Sequence, residues 1–318
     1  MLNNATDKRV MKQITNNILM IKPVSFRYNE QTAVNNYYQQ VLNDLTPEEI
    51  QANALNEFNT FANKLKDAGV NVIIVEDTEI PDTPDSIFPN NWVSFHANGI
   101  IGLYPMCAEN RRDERREDIF DILVDEYGFT IEEIKDFTEF EEHDKFLEGT
   151  GSMVLDHENK ICYAAISIRT DEIAVIQFCE EFGYRPVCFT ANQDVEGERM
   201  AIYHTNVMMC VANKYSIICL ESIDSKIDKQ IVIKSLKDDN KEIIEINEIQ
   251  LNSFAGNMIE LVFDNKSFLI MSSQAYKSLT KNQIQKIEKF SKIIHSSVET
   301  IENCGGGSVR CMIAEVFN

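Results

Sequence analysis

One β-hairpin pattern recurs along the chain and limits the folds that are open to it. Residues 92–105, "WVSFHANGIIGLYP", are typical of two short strands joined by an Asn-Gly turn. The same pattern returns in 152–166, 206–221 and 257–272, and residues 311–317 form one more first strand. A chain built from copies of one unit favours a repetitive architecture over an irregular one.

A helix and a further strand are predicted between successive hairpins. The predicted helices are 45–68, 111–127, 170–182, 224–238 and 275–292. The strands predicted to follow them are "VNVIIVED", "FTIEEIKDF", "RPVCFTA", "KEIIEIN" and "SSVETIEN". The pattern predicts five ββαβ modules, repeating every ~50–60 residues in a propeller-like closed array. Residues 17–23 would pair with 311–317 and so remove an exposed sheet edge. The alternative is an ordinary α/β sheet with coincidental hairpins.

Composition limits the partners of the chain. Lys and Arg number 30 and Asp and Glu number 51, so the net charge is −21 at pH 7. Such a charge argues against nucleic acid or anionic membranes as partners.

We expect a single catalytic domain over 1–318, with 1–16 as a flexible tail. Eight cysteines without a C-x-x-C pair, and a polar N-terminus, favour a cytoplasmic protein with reduced thiols.

Polar residues collect just before each first strand, where modules of a closed array would converge. These stretches are 85–92, 146–152, 202–206, 254–257 and 305–311. Three modules supply Cys311, His204 and Glu148, which could act as nucleophile, proton shuttle and orienting carboxylate. A structural histidine and an incidental thiol are the alternatives. Neither metal-ligand spacing nor a phosphate loop is present, so no metal and no cofactor are predicted.

The stretches "FLEGTG", "YHTN" and "GGGSVRC" resemble the guanidino-group modifying enzymes. These are arginine deiminases, dimethylarginine dimethylaminohydrolases and amidinotransferases, and the citrulline-utilising hydrolases are the most similar subgroup. The resemblance implies a pentein fold, which is a five-bladed ββαβ propeller with pseudo-fivefold symmetry. It also implies that Cys311 is the nucleophile, that His204 protonates the leaving group and later activates water, and that Glu148 binds the substrate's terminal N–H groups.

The same resemblance implies further substrate contacts. Arg169 matches the arginine that binds the substrate α-carboxylate, and Arg111 matches a second substrate-facing arginine, although the neighbouring Arg112 leaves that register open. Asp85 and Gly149 are also candidate substrate-binding residues. Cys304 is interpreted as a bystander. The segment 25–40 either covers the site or is surface packing.

Two departures from the family pattern bear on the substrate. Asn91 and Asn206 stand where guanidine-processing members usually carry aspartates. An asparagine both accepts and donates hydrogen bonds, which suits a neutral ureido group better than a guanidinium. We therefore predict hydrolysis of citrulline to ornithine, ammonia and carbon dioxide.

Several alternatives are kept. They are an arginine deiminase, a dimethylarginine hydrolase, an amidinotransferase, and a non-enzymatic relative of the ribosome anti-association factor. The net charge of −21 fits ribosome binding poorly. The expected partner is a small amino-acid substrate, and the sequence is compatible with a homo-oligomer.

Overall fold

Short mixed sheets and intervening helices make up the computed structural model, which describes residues 13–317. The strands are β1 (Asn17–Lys22), β2 (Asn71–Glu76), β3 (Val93–His96), β4 (Ile100–Leu103), β5 (Glu133–Asp136), β6 (Val154–Asp156), β7 (Ile161–Ala165), β8 (Arg185–Phe189), β9 (Asn192–Val195), β10 (Glu198–Ala201), β11 (Met209–Val211), β12 (Tyr215–Cys219), β13 (Glu242–Ile246), β14 (Ile259–Phe263), β15 (Lys266–Ser272), β16 (Lys292–Ser296) and β17 (Ala314–Glu315).

The helices vary from single turns to a long amphipathic helix near the N-terminus. They are α1 (Glu30–Ala33), α2 (Pro47–Asp67), α3 (Glu109–Arg112), α4 (Asp118–Asp125), α5 (Gly149–Ser152), α6 (Glu172–Phe182), α7 (Thr205–Met208), α8 (Lys226–Asp238), α9 (Glu248–Leu251), α10 (Ser273–Ser278), α11 (Lys281–Glu288) and α12 (Glu299–Gly305). None of those within residues 13–317 is both long and apolar enough to cross a bilayer.

Five three-stranded sheets share one strand order. Four of them join an antiparallel hairpin to a third, parallel strand: β3-β4-β5, β6-β7-β8, β11-β12-β13 and β14-β15-β16. A parallel neighbour requires a crossover, which the intervening helical segments supply. The prediction of a mixed α/β fold is confirmed.

The fifth sheet joins the two ends of the chain. Strand β1 pairs in parallel with β2 and antiparallel with β17, where Ile18 lies opposite Glu315 and Leu19 opposite Ala314. The pairing predicted between the N- and C-terminal segments is therefore present.

Of the expected tail, residues 1–12 lie outside the described residues. Gln13 is buried and donates to the carbonyl of Leu155 at 3.0 Å, so the chain is already packed there.

Each sheet buries side chains against neighbouring sheets. Along β1, Ile18 and Met20 pack toward β14 and β15, whereas Leu19 and Ile21 pack toward β3 and β4. This alternation follows from the two-residue period of a strand. Other apolar clusters join β3-β4-β5 to β6-β7-β8, and join β6-β7-β8 to the two sheets that follow it in the chain.

Two predicted helices are interrupted. The predicted helix 111–127 is α3 and α4 with a break at 113–117, where the side chains of Arg115 and Arg116 donate to the backbone carbonyls of Tyr104 and Glu76. The predicted helix 275–292 is α10 and α11, since Thr280 caps the start of the second helix through a capping box.

The strand predicted at "SSVETIEN" is wrong. The strand is β16, which overlaps the predicted segment only at Ser296, and 299–305 forms helix α12. The carboxylate of Glu57 accepts hydrogen bonds from the backbone N–H groups of Thr300 (2.9 Å) and Ile301 (3.1 Å). These N–H groups lack partners at a helix start, so a contact from α2, distant in sequence, stabilises the helix. The hairpin β9-β10 was also not predicted.

A buried histidine in this fold makes stability depend on pH. His157 is buried beneath Phe317, with Nδ1 2.7 Å from the Tyr184 hydroxyl. Burial, with a smaller contribution from Lys160 and Arg310, lowers the pKa of His157 to about 3. The unfolded chain therefore takes up a proton below about pH 6.5 that the folded chain does not, and the unfolding free energy falls between about pH 6.5 and 3.

We expect His157→Gln to remove part of this acid sensitivity. Between about pH 7 and 4.5 the wild type should lose about 2 to 3 kcal/mol more unfolding free energy than the variant, measured by urea unfolding. His143→Gln is the matched control, because His143 is exposed. Equal acid losses in the wild type and His157→Gln would contradict the prediction.

Candidate active site

The predicted site residues lie on short turns that precede the first strands. Glu148 and His204 are the N-cap residues of α5 and α7, and Asn91 ends a 3₁₀ turn before β3. The sequence predicted that Cys311 begins a strand. In the structure it lies instead in a turn, three residues before β17. Turns leave side chains free to point away from the sheet ladder, which suits residues that meet at one site.

His204 and Glu148 form a buried pair. Nε2 of His204 lies 2.8 Å from Oε2 of Glu148, while Oε1 of Glu148 accepts from the backbone N–H of Cys107 at 3.0 Å. Nη1 of Arg169 and of Arg111 lie 3.5 and 3.8 Å from the same Oε2. Burial opposes ionisation of Glu148, but Arg169, the His204 hydrogen bond and Arg111 outweigh it and hold the pKa below its usual range.

The hydrogen bond to Glu148 also fixes the tautomer of His204. Burial lowers the pKa of His204 to about 4 despite the adjacent Glu148, so the ring is neutral near pH 7. An ionised Glu148 can only accept, so Nε2 carries the proton and donates. Nδ1 then holds a lone pair, and within residues 13–317 it makes no hydrogen bond. His204 can therefore act as a base through Nδ1.

Two amides surround the sulfur of Cys311. Nδ2 of Asn257 lies 3.2 Å from Sγ and Nδ2 of Asn206 lies 3.6 Å from it. Oδ1 of Asn257 accepts from the backbone N–H of Arg310 at 3.0 Å, which fixes that amide with its N–H groups toward sulfur. Asn257 was not predicted, although "FAGN" marks the same place before β14 that Asn91 occupies before β3.

Arg111 orients the side chain of Asn91. Nη1 of Arg111 donates to Oδ1 of Asn91 at 2.9 Å, and Arg111 also makes two hydrogen bonds with the carboxylate of Glu114 at 2.8 and 2.9 Å. Nδ2 of Asn91 has no hydrogen-bond partner within the described part of the chain. Arg112 instead pairs with Glu141 at 3.4 Å, so Arg111 is the arginine that faces the site.

Asp85 and Arg169 lie under the segment 25–40. Oδ2 of Asp85 accepts from Asn29 (2.7 Å) and Thr32 (3.1 Å), while its buried Oδ1 has no partner among residues 13–317. Nε of Arg169 donates to Oδ1 of Asn35 at 2.7 Å, and Nη2 donates to the carbonyl of Thr32 at 2.8 Å.

The segment 25–40 covers the site. Nδ2 of Asn36 lies 3.3 Å from the carbonyls of Gly305 and Gly306, and Nε2 of Gln39 donates to the carbonyl of Cys304 at 2.9 Å. The cavity underneath is about 10 Å³, which is room for one water molecule. A cavity of this size does not hold an amino acid. The cavity is lined by Thr32, Asn36, Asp85, Phe88, Asn91, Arg111, Arg169, Tyr203, His204, Gly305, Gly307 and Cys311.

Four positions singled out in the sequence lie outside this lining: Glu148 and Asn206, which contact His204 and Cys311 from behind it, and Gly149 and Cys304. Gly149 has φ +44°, and a Cβ there would lie 2.3 Å from the carbonyl oxygen of Asn90, so glycine is needed for the close packing of two turns. Cys304 is buried in the apolar cluster beside α2. Across residues 13–317, no group of three or more His, Cys, Asp or Glu residues is arranged to hold a metal ion.

Comparison with known proteins places this arrangement in a family. Residues 22–318 match the family model described as eukaryotic N,N dimethylarginine dimethylhydrolase. No curated protein sequence matches the chain.

Solved structures share the fold at low identity. ArgZ, an arginine dihydrolase from the ornithine–ammonia cycle in cyanobacteria, matches at 18% identity with a TM-score of 0.71, covering 95% of this chain and 40% of ArgZ. This chain therefore spans less than half of full-length ArgZ, whereas it covers 98% of the N-terminal domain of ArgZ, with a TM-score of 0.70.

A third solved structure carries the family's own activity in its name. A dimethylarginine dimethylaminohydrolase bound to S-methyl-L-thiocitrulline matches at 17% identity with a TM-score of 0.61, covering 95% of this chain and 99% of that one. The chain shares a mixed α/β fold with these solved structures and belongs to the N,N-dimethylarginine dimethylhydrolase family, one of the guanidino-group modifying enzyme families.

Proposed function

We propose that this protein hydrolyses the ureido group of citrulline, or of a close ureido amino acid, through a thioester on Cys311. The observation that carries the proposal is the buried, unpartnered Nδ2 of Asn91, a residue that lines the site cavity. Arg111 occupies Oδ1 of this amide, so the N–H groups are what Asn91 can offer a substrate.

A free N–H donor distinguishes ureido from guanidinium substrates. A guanidinium only donates, so it leaves this amide unsatisfied in a buried site. A ureido carbonyl oxygen accepts, and its charge grows as the central carbon becomes tetrahedral. A donor placed at such an oxygen is worth about 10²–10³ in rate.

Two other residues of the cavity lining suit an α-amino acid. Arg169 can bind a carboxylate with two parallel N–H donors, and the unpartnered Oδ1 of Asp85 can accept from an ammonium group. In the structure Asn35 and Thr32 occupy the Arg169 donors. We infer that the substrate carboxylate displaces them as the segment 25–40 opens.

The first half of the reaction forms the thioester. Nδ1 of His204 takes the proton of the Cys311 thiol, and Sγ bonds to the ureido carbon. Nδ2 of Asn91 donates to the oxygen as charge develops. The tetrahedral carbon then expels the side-chain nitrogen, which takes the proton from His204 and leaves as the amine of ornithine.

The second half releases the carbamoyl group. Nδ1 of His204 takes a proton from water, and the hydroxide adds to the thioester carbonyl. The carbon–sulfur bond breaks, the proton returns to Cys311, and carbamate decays to ammonia and carbon dioxide. Glu148 keeps His204 oriented and stabilises its cationic form in both halves.

A guanidine hydrolase is the second candidate. The unpartnered carboxylate oxygen of Asp85 and the ionised Glu148 could both receive N–H groups of a cation. ArgZ is an arginine dihydrolase, and arginine is therefore the substrate to compare.

A direct assay separates the two candidates. The purified protein is incubated with citrulline, arginine or dimethylarginine, and ornithine, ammonia and citrulline are measured. We expect ornithine and ammonia from citrulline, with kcat/KM for arginine at least about 100-fold lower. Conversion of arginine to citrulline with citrulline left untouched would overturn the proposal.

We also propose that the five three-stranded sheets are the blades of one closed propeller. The apolar clusters support this, because they link the sheets in succession and link the sheet of β14 back to that of β1. In such a ring the turns before the first strands converge on one axis. The contact of Glu148 with His204 and that of Asn206 with Cys311 support this convergence.

A further inference from the structure

Glu302 is a buried carboxyl group that the proposed reaction does not use. Glu302 lies in α12 and is 1% exposed, and its Oε1 accepts a hydrogen bond from the Ser308 hydroxyl at 2.6 Å. Ser308 is itself fully buried, in the glycine-rich loop between α12 and Cys311.

This position is costly for a carboxyl group. No Lys, Arg or His nitrogen in residues 13–317 lies within ion-pair distance of Glu302, and the nearest charged groups include the carboxylates of Glu57 and Glu299. Burial, reinforced by these two carboxylates, raises the pKa of Glu302 to about 7. Hydrogen bonds must therefore offset the desolvation of this side chain.

The contacts of Glu302 run directly to the turn that carries the thiol. Its backbone carbonyl accepts from the N–H of Gly306 at 3.0 Å, and its side chain accepts from Ser308. The carbonyl of Ser308 in turn accepts from the backbone N–H of Cys311 at 2.9 Å. From the other side, Asn257 binds the N–H of Arg310 and approaches Sγ of Cys311.

We propose that Glu302 and Ser308 are positioning residues, which hold the turn of Cys311 at the distance from His204 and Asn91 that the reaction requires. The glycine loop has little stiffness of its own, because three successive glycines precede Ser308. A hydrogen bond from its far end to a helix fixes it. This inference rests on the proposed function only in taking Cys311 as the nucleophile.

Loss of the Ser308 hydroxyl tests the inference. We expect Ser308→Ala to lower kcat about tenfold or more, since a small displacement of a nucleophile is costly, and to leave KM within about twofold. KM should remain unchanged because Arg169 and Asp85, which are proposed to bind the carboxylate and ammonium groups of the substrate, do not contact this loop. Glu302→Leu should have the same effect, whereas Glu302→Gln keeps an acceptor and should retain most of the activity.

A double variant and a matched control separate positioning from general damage. Glu302→Leu combined with Ser308→Ala should be no slower than Glu302→Leu alone, because the change at Glu302 already removes the contact with Ser308 along with the one to Ser272. Ser291→Ala is the control: Ser291 donates to buried Glu260 at 2.5 Å in the sheet of β14, so it has the same chemistry without a link to Cys311. It should lower the unfolding free energy but leave kcat unchanged.

Two outcomes would overturn the inference. They are a kcat for Ser308→Ala equal to that of Ser291→Ala, or losses in the Glu302 and Ser308 variants that multiply in the double variant. The alkylation rate of Cys311 by iodoacetamide gives a readout without any substrate, and it should also change in Ser308→Ala and not in Ser291→Ala. An altered alkylation rate together with no turnover of citrulline would reject the proposed substrate and keep the positioning pair.

Discussion

Replacing Cys311 by serine is expected to lower turnover of the preferred substrate by about 10⁴-fold or more. A serine hydroxyl remains protonated near pH 7 and is a much weaker nucleophile than a thiol. The amides of Asn257 and Asn206 lie 3.2 and 3.6 Å from the sulfur, where they can stabilise negative charge on it. The covalent intermediate should disappear with the sulfur, so intact-protein mass spectrometry of the wild type during turnover should show an added carbamoyl group that Cys311→Ser lacks.

The control for this variant is Cys304→Ala. Cys304 lies seven residues earlier in the same region but packs into the apolar cluster beside α2, outside the lining of the cavity. Its truncation should cost some stability and leave kcat within about threefold. Equal activity of Cys311→Ser and wild type, or an adduct that maps to another cysteine, would contradict a thioester on Cys311.

The repeated hairpins allowed much of the fold to be predicted, because local patterns determine them. Alternating apolar residues and Asn-containing turns predict the two strands of a hairpin without knowledge of the rest of the chain. The prediction errors lie where a contact between residues distant in sequence determines the secondary structure. Helix α12 replaced a predicted strand because Glu57, on α2, caps its first N–H groups.

The candidate site likewise contains residues that the sequence could identify and contacts that it could not. Cys311, His204 and Glu148 could be identified by residue type and position, and the structure brings Glu148 to His204 at 2.8 Å. The partners of Arg169 could not be identified, because Thr32 and Asn35 come from a segment without a distinctive pattern. Sequence also could not reveal which end of the Asn91 amide is free, since Arg111 decides it.

Changing Asn91 to aspartate is expected to reverse the preference between citrulline and arginine. The variant loses the only N–H donor that Asn91 can offer and places a second acceptor where the ureido oxygen lies. We expect kcat/KM for citrulline to fall by about 10²–10³, the usual loss for one donor at a developing oxyanion. The kcat/KM for arginine should rise, or should fall far less than that for citrulline, because the guanidinium of arginine can donate to the new carboxylate.

The ratio of the two substrates is the measurement, because misfolding would lower both activities together. Arg111 should tolerate the change, as its Nη1 already donates to the side chain at position 91 from 2.9 Å. Asn206→Asp provides a comparison: its amide lies at the sulfur, 3.6 Å from Sγ, so a carboxylate there should oppose the thiolate and slow both substrates alike. If Asn91→Asp lowered citrulline and arginine turnover by the same factor, the free amide would not be the element that selects the ureido group. The substrate preference would then have to come from another group, such as the ionised carboxylate of Glu148.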